Sequence, residues 1–171
     1  AGMVDVMPLS DVRVIDAGQV VAGPVCATYL ADMGADVIKL EAPRGDIARG
    51  GRREIDGEPV STSFELLNRS KRSVSINLKE NAGREVVYEL VESADIFVQN
   101  WPPGVSERLG VDYETLREIN PDLVYTHVTG FGETGPMANK PAMDTVIQHV
   151  SGLSSLMGYE DRPPIRAQTS L

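Results

Sequence analysis

Two short apolar runs enclose a glycine-marked turn and a helix at the start of this chain, and that order constrains the fold more than any other feature. Val12 to Ile15 has the make-up of a buried strand, Asp16-Ala-Gly-Gln-Val-Val-Ala-Gly-Pro24 follows as a turn, and Val37 to Leu40 returns as a second strand. Pro24 suits the first turn of the intervening helix and Gly34 its end, because proline presets φ where no amide is needed and glycine accepts the left-handed cap. A glycine-containing turn between strand and helix lets backbone amides face an anionic or nucleotide-like ligand. Gly18 and Gly23 do not spell G-x-G-x-x-G, so a dinucleotide cradle of the usual kind has no support. Glycines that serve only close packing remain the alternative.

The pattern continues as alternating β and α. Pro43 to Val60 reads as a long loop, Ser61 to Asn68 as a short helix, Val74 to Leu78 as a half-buried strand, Asn81 to Glu92 as an amphipathic helix and Ala94 to Gln99 as a strand. Glu107 to Leu109 and Tyr113 to Ile119 are short helices, Leu123 to Thr129 is a strand, and the last helix runs from about Asp144 to Met157. The expected fold class is therefore α/β: a largely parallel sheet with flanking helices. Gly130-Phe-Gly-Glu-Thr-Gly-Pro136 falls after a strand, where such sheets bind ligands.

Composition excludes several function classes. A formal net charge of −9 over 171 residues argues against nucleic acid as the main partner, since phosphate backbones need a positive field. No apolar run approaches the length of a membrane span. A single cysteine rules out an internal disulfide framework and fits a reducing cytoplasm. Cys26, on the apolar first helix, reads as a small hydrophobe rather than a nucleophile. Two histidines and one cysteine are not at ligand spacing, so no metal site is expected, and G-x-S-x-G is missing. Arg44, Arg49, Arg52, Arg53, Arg69, Lys71 and Arg72 cluster in an otherwise acidic chain, which suits a small polyanion such as a nucleotide phosphate. A solvated loop with scattered charge is the plainer reading.

Taken in order, Val-Ile-Asp-Ala17 with Ala22-Gly-Pro24, Gly34-Ala-Asp-Val-Ile-Lys-Leu-Glu41, Asn68-Arg-Ser-Lys-Arg-Ser73, Asn100-Trp-Pro-Pro-Gly104, Leu109-Gly110, Asn120-Pro121, Thr129-Gly-Phe-Gly132 and Ser151-Gly152 form a constellation. It resembles the class III CoA-transferase (CaiB/BaiF-like) family, which includes formyl-CoA and carnitine CoA-transferases and the related α-methylacyl-CoA racemases. The resemblance runs from Leu9 to the end of the chain. It implies a CoA-binding Rossmann-like domain over residues 9–171, in a longer protein whose two subunits interlock as a homodimer; residues 1–8 read as a tail in which Ala1-Gly2 before Met3 has the look of a tag scar. CoA or acyl-CoA is then substrate, with no tightly bound cofactor, and a carboxylic acid is the acceptor.

On that pattern Gln19, Val20 and Ala22 lie beside the thioester and pantetheine, and Arg44 meets the nucleotide end with Ile76 packed near it. Asn100 and Trp101 line the pantetheine and adenosine path, Arg108 contacts phosphate, and Lys71 and Arg72 belong to the cofactor-binding set. Each has a plainer alternative: Arg108 pairing with Glu107 or Asp112, Trp101 plugging the surface, Lys71 and Arg72 capping a strand end.

Family transferases use an aspartate that attacks the acyl-CoA, giving an enzyme anhydride and then an enzyme-CoA thioester. The resemblance puts that aspartate about two residues beyond Leu171, so the expectation is an N-terminal fragment, inactive alone, with a natural short CoA-binding module as the alternative. Asp144 is a candidate auxiliary carboxylate, and also a good helix N-cap. Racemases of the family carry a histidine just before this aspartate, because α-proton exchange needs a base on each face. Met143 stands there, which favours transferase over racemase, and His127 and His149 do not replace it.

Overall fold

The structure, a computed structural model, describes residues 7–50, 53–55 and 57–167. In chain order it comprises β1 (Arg13–Asp16), α1 (Ala22–Asp32), β2 (Asp36–Glu41), a 3-10 turn (Ile47–Arg49), β3 (Arg53–Ile55), β4 (Glu58–Val60), α2 (Thr62–Leu67), β5 (Lys71–Ser75) and α3 (Asn81–Val91). There follow β6 (Ile96–Gln99), α4 (Val105–Leu109), α5 (Tyr113–Ile119), β7 (Val124–His127), α6 (Asp144–Val150) and a second 3-10 turn (Leu153–Leu156). The chain divides between Val128 and Thr129 into two compact units.

The first unit is built on a five-stranded parallel sheet in the order β5-β2-β1-β6-β7. Its two faces follow from the period of two along each strand. Val14, Val37 and Val98 meet Ala27 and Ala31 of α1 and Ala35 just after it, a core of small side chains that lets the helix lie close to the strands. Ile15, Leu40 and Phe97 point the other way, against Val87 and Val91 of α3 and Leu116 of α5. Full burial of each such side chain contributes about 1.5–3 kcal/mol, which ties the helices to both faces. The α/β class and parallel sheet expected from the sequence are what the structure has.

Three elements differ from expectation. Residues 43–60 are not one irregular loop: β3 and β4 form an antiparallel hairpin in which Ile55 pairs with Glu58 and Gly57 has φ +85. Asp-Gly between short β-prone runs is a hairpin signal that the loop reading passed over. The strand expected at Val74–Leu78 lies at Lys71–Ser75, because pairing to β2 starts at Val37↔Lys71 and only Ile76 continues it, through its amide to the Glu41 carbonyl. As the sheet's edge strand β5 turns Arg72, Ser73 and Ser75 outward, so alternation of apolar residues does not mark its start. The last helix stops at Val150, where Gly152 at φ +83 breaks it before the second 3-10 turn.

In the second unit, the side-chain amide of Gln148 donates to the Asp144 carboxylate at 2.8 Å and its oxygen accepts the Ala167 amide at 2.8 Å. Arg166 donates to the Thr145 hydroxyl at 2.7 Å. The tail Arg166-Ala-Gln-Thr-Ser-Leu171 has the make-up of a strand but lies partly outside the described residues, and Arg166 and Ala167 are not in one. Among the described residues no helix is long and apolar enough to cross a membrane.

Candidate functional site

From β1 the chain builds outward through β2 to β5, then returns to place β6 on the other side of β1. That reversal opens a crevice between the C-terminal ends of β1 and β6, the position where open parallel sheets take their ligands. The two segments at its lips are Ala17–Val21 and Asn100–Trp101. Asn100 joins them: its Oδ1 accepts the Gln19 amide at 2.7 Å and its Nδ2 donates to the Gln19 carbonyl at 2.9 Å. Gly18 and Gly23 lie against each other, so that a Cβ on either would sit 2.8 Å from the other's Cα. Their packing role is thus real and brings the turn onto the first turn of α1.

Beneath the turn lies a buried charge network. The parallel register sets Asp16 opposite Lys39, on the α1 face of the sheet. Lys39 Nζ donates to the Gly18 carbonyl at 2.5 Å and to Asp46 at 3.2 Å, with Asp16 at 3.9 Å. Lys71 Nζ reaches Asp16 and the Pro24 carbonyl, each at 2.8 Å, as well as the Leu67 carbonyl at 3.0 Å and Asn68 at 3.2 Å. The side chains of Asp16, Lys39, Asp46 and Lys71 are at most 2% exposed. Burial pushes the Lys71 ammonium below its ordinary range, and Asp16 pulls it back. Charges this deep are tolerated only when paired and hydrogen-bonded throughout.

Asp46 connects the network to the turn. Its carboxylate oxygens accept the Val20 amide at 3.2 and 3.1 Å, and Oδ1 also accepts the Ala48 amide at 2.9 Å. Its own amide donates to Glu41 at 3.0 Å. Glu41 takes a two-pronged bond from Arg49 at 2.7 and 2.6 Å and the Ser73 hydroxyl at 3.0 Å. The Arg49 bond, against the opposing effect of burial, holds the Glu41 carboxyl down to about 2. Arg49 also stacks 4.0 Å over the Phe64 ring. Residues 42–50 are therefore folded back over the end of β2. A cleft of about 340 Å³ opens beside them, with Val20, Val21, Ala48, Arg53 and Ser61 in its lining.

The sequence candidates separate on this frame. Gln19, Val20, Ala22, Arg44, Asn100 and Trp101 all follow the C-terminal ends of sheet strands. Ile76 and Trp101 share the larger core, with Trp101 9% exposed and its carbonyl accepting from His127 Nε2 at 2.8 Å. Lys71 and Arg72 start β5, and Arg72 turns to Asp36 at the start of the neighbouring β2, away from the C-terminal ends of the strands. Arg49, Arg69, Lys71 and Arg72 each hold a carboxylate, so the basic cluster is largely spent internally. Arg52 lies outside the described residues. Arg44, Arg53 and Arg108 are exposed and have no ion pair among the described residues; Glu107 is bonded by Ser106 and Asp112 by Thr115 instead. Asp144 is the first residue of α6, whose cap position is Met143. Asp16, Lys39 and Asp46 were not among the candidates, although a lysine inside Val-Ile-Lys-Leu is a visible sign of a buried, paired charge.

Residues 9–171 match the family model described as CoA-transferase family III. The chain belongs to that family. It is 42% identical over 165 residues to the succinyl-CoA:mesaconate CoA-transferase of Haloarcula marismortui, covering 92% of this chain and 42% of that protein. Over 157 residues it is 42% identical to the formyl-CoA:oxalate CoA-transferase of Streptomyces coelicolor, covering 92% and 38%. A solved CaiB/BaiF family protein from Brucella suis superposes with a TM-score of 0.91 at 39% identity, covering 96% of this chain and 44% of that one. This family III chain thus spans about two-fifths of the length of the relatives it matches.

Proposed function

We propose that the protein moves CoA between an acyl-CoA donor and a carboxylic acid acceptor, and that the 171 residues supply its CoA-binding part. The observation that carries this reading is the family match over a crevice whose turn is pinned residue by residue. Gln19, Val20 and Ala22 lie in the turn beside the pantetheine and thioester, with Asn100 and Trp101 along the same path. Arg44 and Arg108, charged and unspent, take the phosphates, since guanidinium forks suit them; Ile76, Lys71 and Arg72 support the frame. The aspartate that forms the anhydride and then the CoA thioester lies outside these residues, and Asp144 assists near the reaction centre. Met143, 72% exposed before Asp144, has no proton to exchange, which supports transfer over racemisation. An interlocked homodimer in the cytoplasm completes the proposal.

The test uses Trp101, the single tryptophan. Titration with CoA is expected to change its fluorescence saturably, and Arg44→Ala or Arg108→Ala to weaken CoA binding about tenfold while leaving pantetheine unaffected. No binding of CoA at millimolar concentration, by fluorescence or by equilibrium dialysis, overturns the proposal.

A further inference from the structure

Val20 stands in the left-handed backbone region at φ +63. A β-branched residue reaches that region only when its surroundings hold it there. The holding groups lie outside the turn: Lys39 takes the Gly18 carbonyl, Asn100 takes both backbone groups of Gln19, and Asp46 takes the Val20 amide with both oxygens. Three successive residues are thus gripped by three side chains from three separate segments. The left-handed twist leaves the Val20 side chain 42% exposed, in the wall of the cleft beside Ala48 and Arg53.

We propose that Asp46, fixed by Lys39, is a positioning residue that holds Val20 left-handed and so sets the ligand-facing shape of the turn. The inference rests on the CoA-binding reading above. Without the Asp46 carboxylate, the Val20 amide loses its acceptor, Val20 relaxes towards negative φ and its side chain turns away from where it meets the ligand. Glycine populates positive φ without steric cost, so in a Val20→Gly variant the turn no longer depends on Asp46.

The experiment is a double-mutant cycle on CoA affinity, with the wild type, Asp46→Ala, Val20→Gly and the double variant; alanine is used because asparagine would keep an oxygen able to accept the Val20 amide. Asp46→Ala is expected to weaken CoA binding about tenfold beside Val20, and less than about threefold in the Val20→Gly background. A purely structural role gives the same loss in both backgrounds, and that result overturns the proposal. Should Asp46→Ala fail to fold, Lys39→Met with Asp46→Ala removes the pair without stranding a charge; Asp16 keeps Lys71, the Gly18 carbonyl is released as well, and the cycle then reads the joint hold of Lys39 and Asp46 on the turn. Binding by the wild type with no change in any variant overturns the positioning role alone. No wild-type binding instead overturns the CoA reading; Val20 amide exchange, expected slow in the wild type and fast in Asp46→Ala, then decides the positioning role.

Discussion

Adding one methyl group to Gly18 measures how tightly the turn is seated on α1. A Cβ there would lie 2.8 Å from the Cα and carbonyl carbon of Gly23 and from Cδ of Pro24. Carbon atoms rest about 3.5–4.0 Å apart, so the turn and helix must separate by about 0.7–1.2 Å. Backbone and a proline ring stand in the way, and none of them can swing aside as the end of a long side chain would. Overpacking of this kind costs about 1–3 kcal/mol. For a chain of this size each kcal/mol moves the melting temperature by about 2–4 °C, so a mid-range cost lowers it by roughly 4–8 °C. Gly23→Ala opens the same contact, since its Cβ would meet Gly18 at 2.8 Å and Asn100 Oδ1 at 3.0 Å. The double variant should therefore lose less than the sum of the two, because the first methyl already makes room for the second. Gly50→Ala is the control: its φ is −58 and its nearest contact 3.4 Å, and it should melt with the wild type. Thermal unfolding followed by circular dichroism decides the matter. A Gly18→Ala variant that melts with the wild type, or two fully additive losses, would refute the argument.

Adjacent residues on β5 should behave in opposite ways. Lys71→Met strands Asp16 and several carbonyls and should cost about 3–5 kcal/mol, whereas Arg72→Met, at a side chain 63% exposed, should cost at most about 1 kcal/mol; urea titration checks the order. Glu41 has its folded pKa depressed to about 2, so its contribution is present above the usual carboxylate range and disappears as the pH falls from about 4.5 to 2. With Arg49 half in solvent, screening reduces that contribution to about 1–2 kcal/mol. Glu41→Gln should flatten the loss of stability over that pH window, and an unchanged slope would contradict the assignment. Cys26 is half-buried, and burial followed by the charge of Asp16 raises its thiol pKa against the opposing pull of Lys71. It should react slowly with a disulfide reagent in the native chain and at once in denaturant; rapid native labelling would count against the assigned environment.

The first βαβ unit was legible because its signals are local. Apolar runs at Val12–Ile15 and Val37–Leu40, Pro24 in the first turn and Gly34 past the end of α1 act within a few residues of each other, and the structure follows them to within a residue or two. Tyr113–Ile119 was equally plain, with Asp112 capping the Thr115 amide. The start of β5 was not, since an edge strand is defined by its partner, and polar Lys71-Arg-Ser73 carries no alternation to announce pairing with Val37.

The same division runs through the candidate site. The order of motifs was enough for the family, and the family resemblance pointed to Arg44 and Arg108 as the cations for phosphate. Which cations remain unspent was decided by folding, because ion pairs such as Lys71 with Asp16 and Arg69 with Asp32 join residues far apart in the chain. The grip on the turn is of that kind as well: Lys39, Asp46 and Asn100 converge on Gly18, Gln19 and Val20 only once parallel strands set Asp16 beside Lys39 and β6 beside β1. Local propensity acts along the chain and can be read there, while a buried charge finds its partner across the sheet and needs the packed molecule to name it.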